Sequence, residues 1–236
     1  MLIHFLKPAI QVIGLALFFA TASVAQTLQV SIIDSEGNPI ADAVAELIVL
    51  QEAPQEALQV ATQQNQAERT TTRIHDIDQI DKEFVPNVTA IAAGEQVSFP
   101  NSDDILHHVY SFSSARTFNI PLYGRGDSND YAEQFPLTGV IEIGCNIHDW
   151  MLAYIYVGES DRVAISDQSG IALIQNISPG NYEYNVWHAR AAGGEDSQLR
   201  SVDIIAGETT VQEVVLELAR DRRIRRAPSA NRQRYR

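Results

Sequence analysis

Polar and apolar residues alternate over short stretches through most of the chain. Across residues 27–33 the apolar positions are Leu28, Val30 and Ile32, the period of two that turns one face of a strand toward a core. Asp34-Ser35-Glu36-Gly37-Asn38 reads as a turn and residues 43–50 as a second apolar run, so this segment predicts a hairpin. Residues 84–100 carry short apolar runs broken by Pro86, Gly94 and Pro100, and residues 140–157 are rich in Ile, Val and Tyr. Val163 and Ile165 then precede a turn at Asp167-Gln168-Ser169-Gly170. A further turn at Ser178-Pro179-Gly180 leads into alternating Tyr182, Tyr184 and Val186, and residues 211–218 are placed to close the last sheet. Short strands at this spacing predict an all-β chain built of sandwiches. Residues 51–66 break the pattern: Gln and Ala dominate with almost no β-branched residues, which reads as a linker or a short exposed helix.

Charge changes the picture at both ends. The 236 residues carry 17 Lys+Arg against 30 Asp+Glu, a formal charge of −13, which excludes nucleic acid as the main ligand. After Leu218 there are eight arginines and one acid, so the tail stands at +7 and the rest of the chain at −20. A weak contact with an anionic surface is the functional expectation for that tail. At the other end Lys7 precedes an apolar run over residues 10–19, and Ser23-Val24-Ala25 offers a small-x-small cleavage site. This predicts a secretory signal cut after Ala25, with a membrane anchor as the alternative, and hence export to the periplasm. A single cysteine, Cys145, in an oxidising compartment needs a reason to stay unpaired.

That reason lies in Gly144-Cys145-Asn146-Ile147-His148-Asp149-Trp150-Met151. A thiolate, an imidazole and a thioether spaced C-x2-H-x2-M are ligands that copper selects, and a weak axial thioether separates a blue-copper site from a zinc site. A second imidazole is available from His107-His108, 38 residues before Cys145. His108 is expected to face away from its neighbour, because adjacent strand residues point to opposite sides. His75 and His188 read as surface or packing residues, and Trp150 and Tyr154 as core and rim.

The segment from Ile77 to Val157 resembles the small cupredoxins of the plastocyanin, amicyanin and halocyanin group. The resemblance implies a Greek-key β-sandwich holding one type 1 copper. His107, followed by His108 and Val109, would be the first imidazole ligand, Cys145 the thiolate, His148 the second imidazole and Met151 the axial ligand. Asn101, six residues before His107, would tie the ligand loops together. Asp81-Lys82-Glu83-Phe84-Val85-Pro86, with residues 107–110 and the Cys loop, also resembles proteins labelled methylamine utilisation proteins, which implies periplasmic redox work. A second resemblance flanks the first. The D-x-x-G-x-P-I-x-D-A-V run from Asp34 to Val44 is similar to the start of a carboxypeptidase regulatory-like, or transthyretin-like, β-sandwich, whose D-x-x-G and P-G-x-Y turns reappear at Asp167–Gly170 and Pro179–Tyr182.

The expected organisation is therefore a signal at 1–25, a discontinuous outer β-sandwich at 26–50 and 159–218, a linker at 51–75, a cupredoxin at 76–158 inserted in the sandwich, and an Arg-rich disordered tail at 219–236. A simple tandem of β-domains is the alternative. No aromatic platform for sugar is evident. The functional expectation is a carrier of single electrons between periplasmic partners, the partner being a soluble or membrane-bound redox protein. Electrons would pass at the His148 edge, with Ile147, Trp150 and Leu152 supplying an apolar patch. Copper storage, delivery or sensing is the second reading, and a non-catalytic β-sandwich interaction module the third. Copper catalysis would need further histidines, and only His4, His75, His108 and His188 remain, so no enzyme is expected.

Overall fold

The computed structural model describes residues 26–49, 73–127, 131–191 and 199–220. The signal read at 1–25, nearly all of the linker read at 51–75, and residues 221–236 of the tail lie outside the described residues. Among the described residues every regular element is a β-strand, in line with the all-β expectation.

One group of strands comes from both ends of the described chain. β1 (Gln26–Asp34) lies between β14 (Ile171–Ile177), antiparallel to it, and β17 (Thr209–Leu216), parallel to it over eight residue pairs. Opposite this sheet stands an antiparallel one in the order β13 (Val163–Ile165), β2 (Val44–Val49), β15 (Gly180–Trp187) and β16 (Arg200–Ile204). The core between them takes Leu28, Val30 and Ile32 from one sheet and Leu47, Tyr184 and Val186 from the other. At the Asp167 turn Gly170 has φ +75, and a Cβ there would meet Ile32 O at 2.4 Å, so only glycine lets the chain pass this close to β1.

The hairpin expected from residues 27–50 does not form, because β1 and β2 lie in different sheets. The turn itself is present: Asp34 Oδ1 accepts the N–H groups of Glu36 and Asn38, each at 2.9 Å. Beyond it, Ile40 N–H still reaches Ile32 O at 2.9 Å, but then Asp42, at φ 60, redirects the chain across the sandwich. Ser166 fixes this crossing by donating to Ile40 O and accepting from Ala43 N–H. The deeper cause is that β2 is buried on both faces. Ala45 and Leu47 belong to the core just described, while Val44 packs with Val88, Tyr156 and Trp187 on the other side. The ladder partners of β2 are β13 and β15, not β1.

The strands between residues 74 and 158 form ladders only with one another among the described residues. A five-stranded sheet runs β6 (Val88–Ala92), β12 (His148–Gly158), β11 (Gly139–Cys145), β8 (His107–Ser113), β9 (Arg116–Tyr123). A second sheet runs β10 (Ala132–Gln134), β7 (Gln96–Ser98), β3 (Ile74–Asp76), and β4 (Asp78–Ile80) pairs with β5 (Glu83–Val85). β3 thus starts two residues inside the segment read as linker. Phe99, Phe118, Phe135, Ile141, Ile143 and Ile155 fill the core. Both ends of this segment meet one turn: Gln96 N–H donates to Arg73 O and Ala93 N–H to Gly158 O.

Candidate metal centre

β11 and β12 are joined by the two-residue turn Asn146-Ile147, so Cys145 and His148 face each other across the first pair of the ladder, where the register shifts. The C-x2-H spacing is the mouth of a hairpin, and its geometry brings Cys145 Sγ to 3.6 Å from His148 Nδ1. β8 supplies the third group: His107 opens it fully buried, with Nδ1 at 3.9 Å from Cys145 Sγ. Donor atoms of His107, Cys145 and His148 all lie within 4.8 Å of one another, and the two imidazoles stand 4.8 Å apart at 55°. Met151 is buried in the apolar cluster that also holds Cys145. His108 faces the other side of β8, its ring 5.5 Å from Tyr110.

Asn101 shapes the approach to His107. Its Nδ2 donates to the carbonyls of Ile105 and Tyr123 and its Oδ1 accepts from Asp103 N–H, each at 3.0 Å. The loop so fixed turns Asp103 onto His107, whose Nε2 lies 2.7 Å from Asp103 Oδ2. A carboxylate only accepts, so Nε2 carries the proton and Nδ1 of the neutral ring keeps its lone pair toward the thiol. This bond has no signature in the sequence, since an Asp four residues before a His is an everyday spacing.

The electrostatics follow from these contacts. Burial raises the Cys145 thiol, but the contact with His107 and the N–H groups of His108 and Ile147 outweigh it and leave the pKa below the ordinary thiol value. Burial works against a charged His107 as well, yet Cys145 and Asp103 hold its pKa above the usual imidazole value. For Asp103 the burial penalty is overcome by Lys82 N–H, His107 and Asp81 N–H, so its pKa is lowered. His148 is lowered, first by burial and then by the charges of His107 and Lys82. These directions favour the charged forms of Cys145 and His107 and the neutral form of His148, so ligation of a metal through His107 Nδ1 would displace a proton from that ring.

At the solvent side His148 borders a shallow depression with Ile105, Leu106, Ile147, Gly124 and Arg125. Leu106 is 52% and Ile147 47% exposed. Of the apolar patch expected from Ile147, Trp150 and Leu152, Ile147 is exposed whereas the other two are half-buried; Ile105 and Leu106 were not anticipated. Trp150 donates its Nε1–H to Lys82 O at 3.0 Å. His75 lies 2.9 Å from Glu95 Oε2, and Arg190 N–H donates to His188 Nδ1 at 3.3 Å; neither histidine joins the cluster.

The donor set fits a first-row metal ion. With metal–nitrogen distances of about 2.0–2.1 Å and metal–sulfur of about 2.3 Å, trigonal or tetrahedral geometry separates N from S by about 3.6–3.8 Å, and the two observed spacings are 3.6 and 3.9 Å.

No family model and no curated protein matches the chain. Among solved structures it is similar to a Cu-containing nitrite reductase from Thermus scotoductus SA-01, with 24% identity and TM-score 0.35 over 37% of this chain and 23% of that one. A purple cupredoxin from Nitrosopumilus maritimus is similar at 22% identity and TM-score 0.32, over 36% of this chain and 99% of that one. Amicyanin from Paracoccus versutus is similar at 19% identity and TM-score 0.33, over 39% of this chain and 88% of that one.

Proposed function

We propose that the chain is an exported copper protein whose type 1 site, held by His107, Cys145 and His148 with Met151 as weak axial ligand, carries single electrons. The observation that carries this reading is the convergence of two imidazole Nδ1 atoms on one buried thiol, at 3.6 and 3.9 Å. Two imidazoles, a thiolate and a nearby thioether suit copper better than zinc. When bound, the metal supplies a one-electron couple. The chain's own part is to keep the donors fixed in both states: β8, β11 and β12 belong to one sheet, and the buried His107 and Cys145 exclude water. His148, half-buried beside the exposed Ile105, Leu106 and Ile147, is the proposed edge for electron exchange with a soluble or membrane-bound redox protein in the periplasm. Such a small apolar surface suits a brief encounter.

We further propose that residues 76–158 are a cupredoxin-type unit inserted in an outer transthyretin-like sandwich, and that the basic tail gives weak contact with anionic surfaces. No catalytic role is proposed. The test is a copper titration of the purified protein followed by voltammetry. An intense visible band absent from Cys145→Ser, with reversible one-electron cycling, supports the proposal. A colourless protein that prefers zinc overturns the metal assignment, and rapid loss of copper on reduction overturns electron carriage in favour of delivery.

A further inference from the structure

Asp81 and Lys82 form a two-residue loop between β4 and β5, with Ile80 paired to Glu83. Both have positive φ, 53° and 62°. Two successive left-handed residues with side chains are costly, and such strain persists only where the surroundings over-determine it. A two-stranded ribbon of three residues per strand does not do so by itself. The turn is held from outside instead. Asp103 Oδ1 accepts Asp81 N–H at 2.7 Å and Oδ2 accepts Lys82 N–H at 2.9 Å, while Oδ2 also takes His107 Nε2–H. On the other flank the Lys82 carbonyl accepts from the Trp150 indole, and the Trp150 ring lies 5.4 Å from the His148 ring at a tilt of 52°. A continuous path thus runs from one imidazole to the other through a carboxylate, a strained turn and an indole, without passing through the thiol.

We propose that the Asp81–Lys82 turn, gripped by Asp103 and Trp150, is a positioning element that holds both imidazoles of the site in register and weights the bound metal toward its more oxidised state. The inference rests on the copper reading of that site. Neither Asp103 nor Trp150 touches the metal; each acts through a histidine. Asp103 fixes the tautomer and orientation of His107 and places a negative charge behind it, which favours the doubly charged ion over the singly charged one. Trp150 sets the face against which His148 rests. The strain in the turn is the cost of bringing one rigid backbone segment within reach of both.

The test uses the full chain with two substitutions. Asp103→Asn keeps the shape and removes the charge, and Trp150→Phe keeps the ring and removes the N–H. Loss of an outer ligand partner is expected to weaken Cu(II) binding about 10–100-fold in Asp103→Asn. With Cu(I) affinity unchanged, this raises the reduction potential by about 60–120 mV, at 59 mV per tenfold. In Trp150→Phe the amides of Asp81 and Lys82 are expected to exchange hydrogen about fivefold to tenfold faster, and the visible band of the copper-loaded protein to shift. Unchanged potential in Asp103→Asn together with unchanged exchange and spectrum in Trp150→Phe overturns the proposal. If the wild type takes no copper, the parent reading fails alone. The clamp is then judged on metal-free protein, by the Nε2–H resonance of His107, which Asp103→Asn must shift, and by the Asp81 and Lys82 amides. Should Asp103→Asn fail to fold, the amide exchange of Trp150→Phe decides.

Discussion

The Tyr156 hydroxyl donates to Glu46 Oε2 across 2.7 Å, although the two residues stand 110 positions apart. Glu46 is 1% exposed, and its other oxygen accepts Ser160 N–H at 2.8 Å. β2 and β12 are thereby locked through a buried carboxylate whose every oxygen is used, beside the apolar contact of Val44, Val88 and Trp187.

Removing the hydroxyl leaves that carboxylate short of a donor. Tyr156→Phe is expected to cost about 1–3 kcal/mol, the penalty of an unsatisfied buried polar group. Denaturant unfolding measures it, and the visible band of the copper-loaded protein is expected to stay in place.

The same pair dictates an alkaline limb. Burial first, then the neighbouring Glu46, push the Tyr156 pKa far above that of an ordinary tyrosine. The folded state holds the neutral phenol, so this contribution to stability is fully present below the unfolded pKa of about 10 and is lost as pH rises through the folded value. Stability followed from pH 8 upward is expected to fall more steeply in the wild type than in Tyr156→Phe. A residual slope remains, because burial also raises Tyr123 and Tyr184.

Two glycines separate strain from crowding. Gly207 has φ +77 and open space around an added Cβ, whereas Gly170 has φ +75 and the Ile32 carbonyl 2.4 Å away. Gly207→Ala is expected to cost about 1–2 kcal/mol, the left-handed penalty alone. Gly170→Ala is expected to exceed it by about 1–3 kcal/mol, the cost of overpacking. Thermal melts of the two variants make the comparison.

A fragment of residues 73–158 is expected to fold and take copper by itself, because its ladders close internally. Starting instead at residue 78 removes β3 from the edge of β7 and deletes the fully buried Ile77. That loss is expected to cost at least about 2 kcal/mol, seen as a lower melting temperature with the visible band diminished.

Strand-forming segments were readable where one face is buried, as in β1 with its Leu28, Val30 and Ile32. β2 misled the hairpin expectation because alternation disappears when both faces are covered: Val44, Ala45, Glu46 and Leu47 are all buried. At the site, Cys145 and His148 were legible because their spacing spans a single turn. Asp103, Lys82 and the contact of Trp150 were not, since they depend on where the β4–β5 loop comes to rest, 21 residues from Asp103 and 68 from Trp150 in the chain. Leu106 and Ile105 escaped for a related reason: exposure of an apolar residue is a property of its neighbours.

Placing β1 between β14 and β17 has a consequence for the order in which the molecule assembles. Leu28 finds its ladder partners at Ile174 and Thr210, so an emerging chain leaves β1 without its ladder partners until β14 and β17 have been made. The entropy of closing so wide a loop is unfavourable, and contacts of such separation form slowly. The strands between residues 74 and 158, whose ladders close internally, are expected to relieve this by closing first. Once they do, Arg73 and Gly158 are drawn to the same short turn, and a separation of more than eighty residues shrinks to the width of that turn. The expected order of assembly therefore runs from the inside outward, with the strands between residues 74 and 158 acting as the splice that brings β1 and β2 to the strands that follow Gly158.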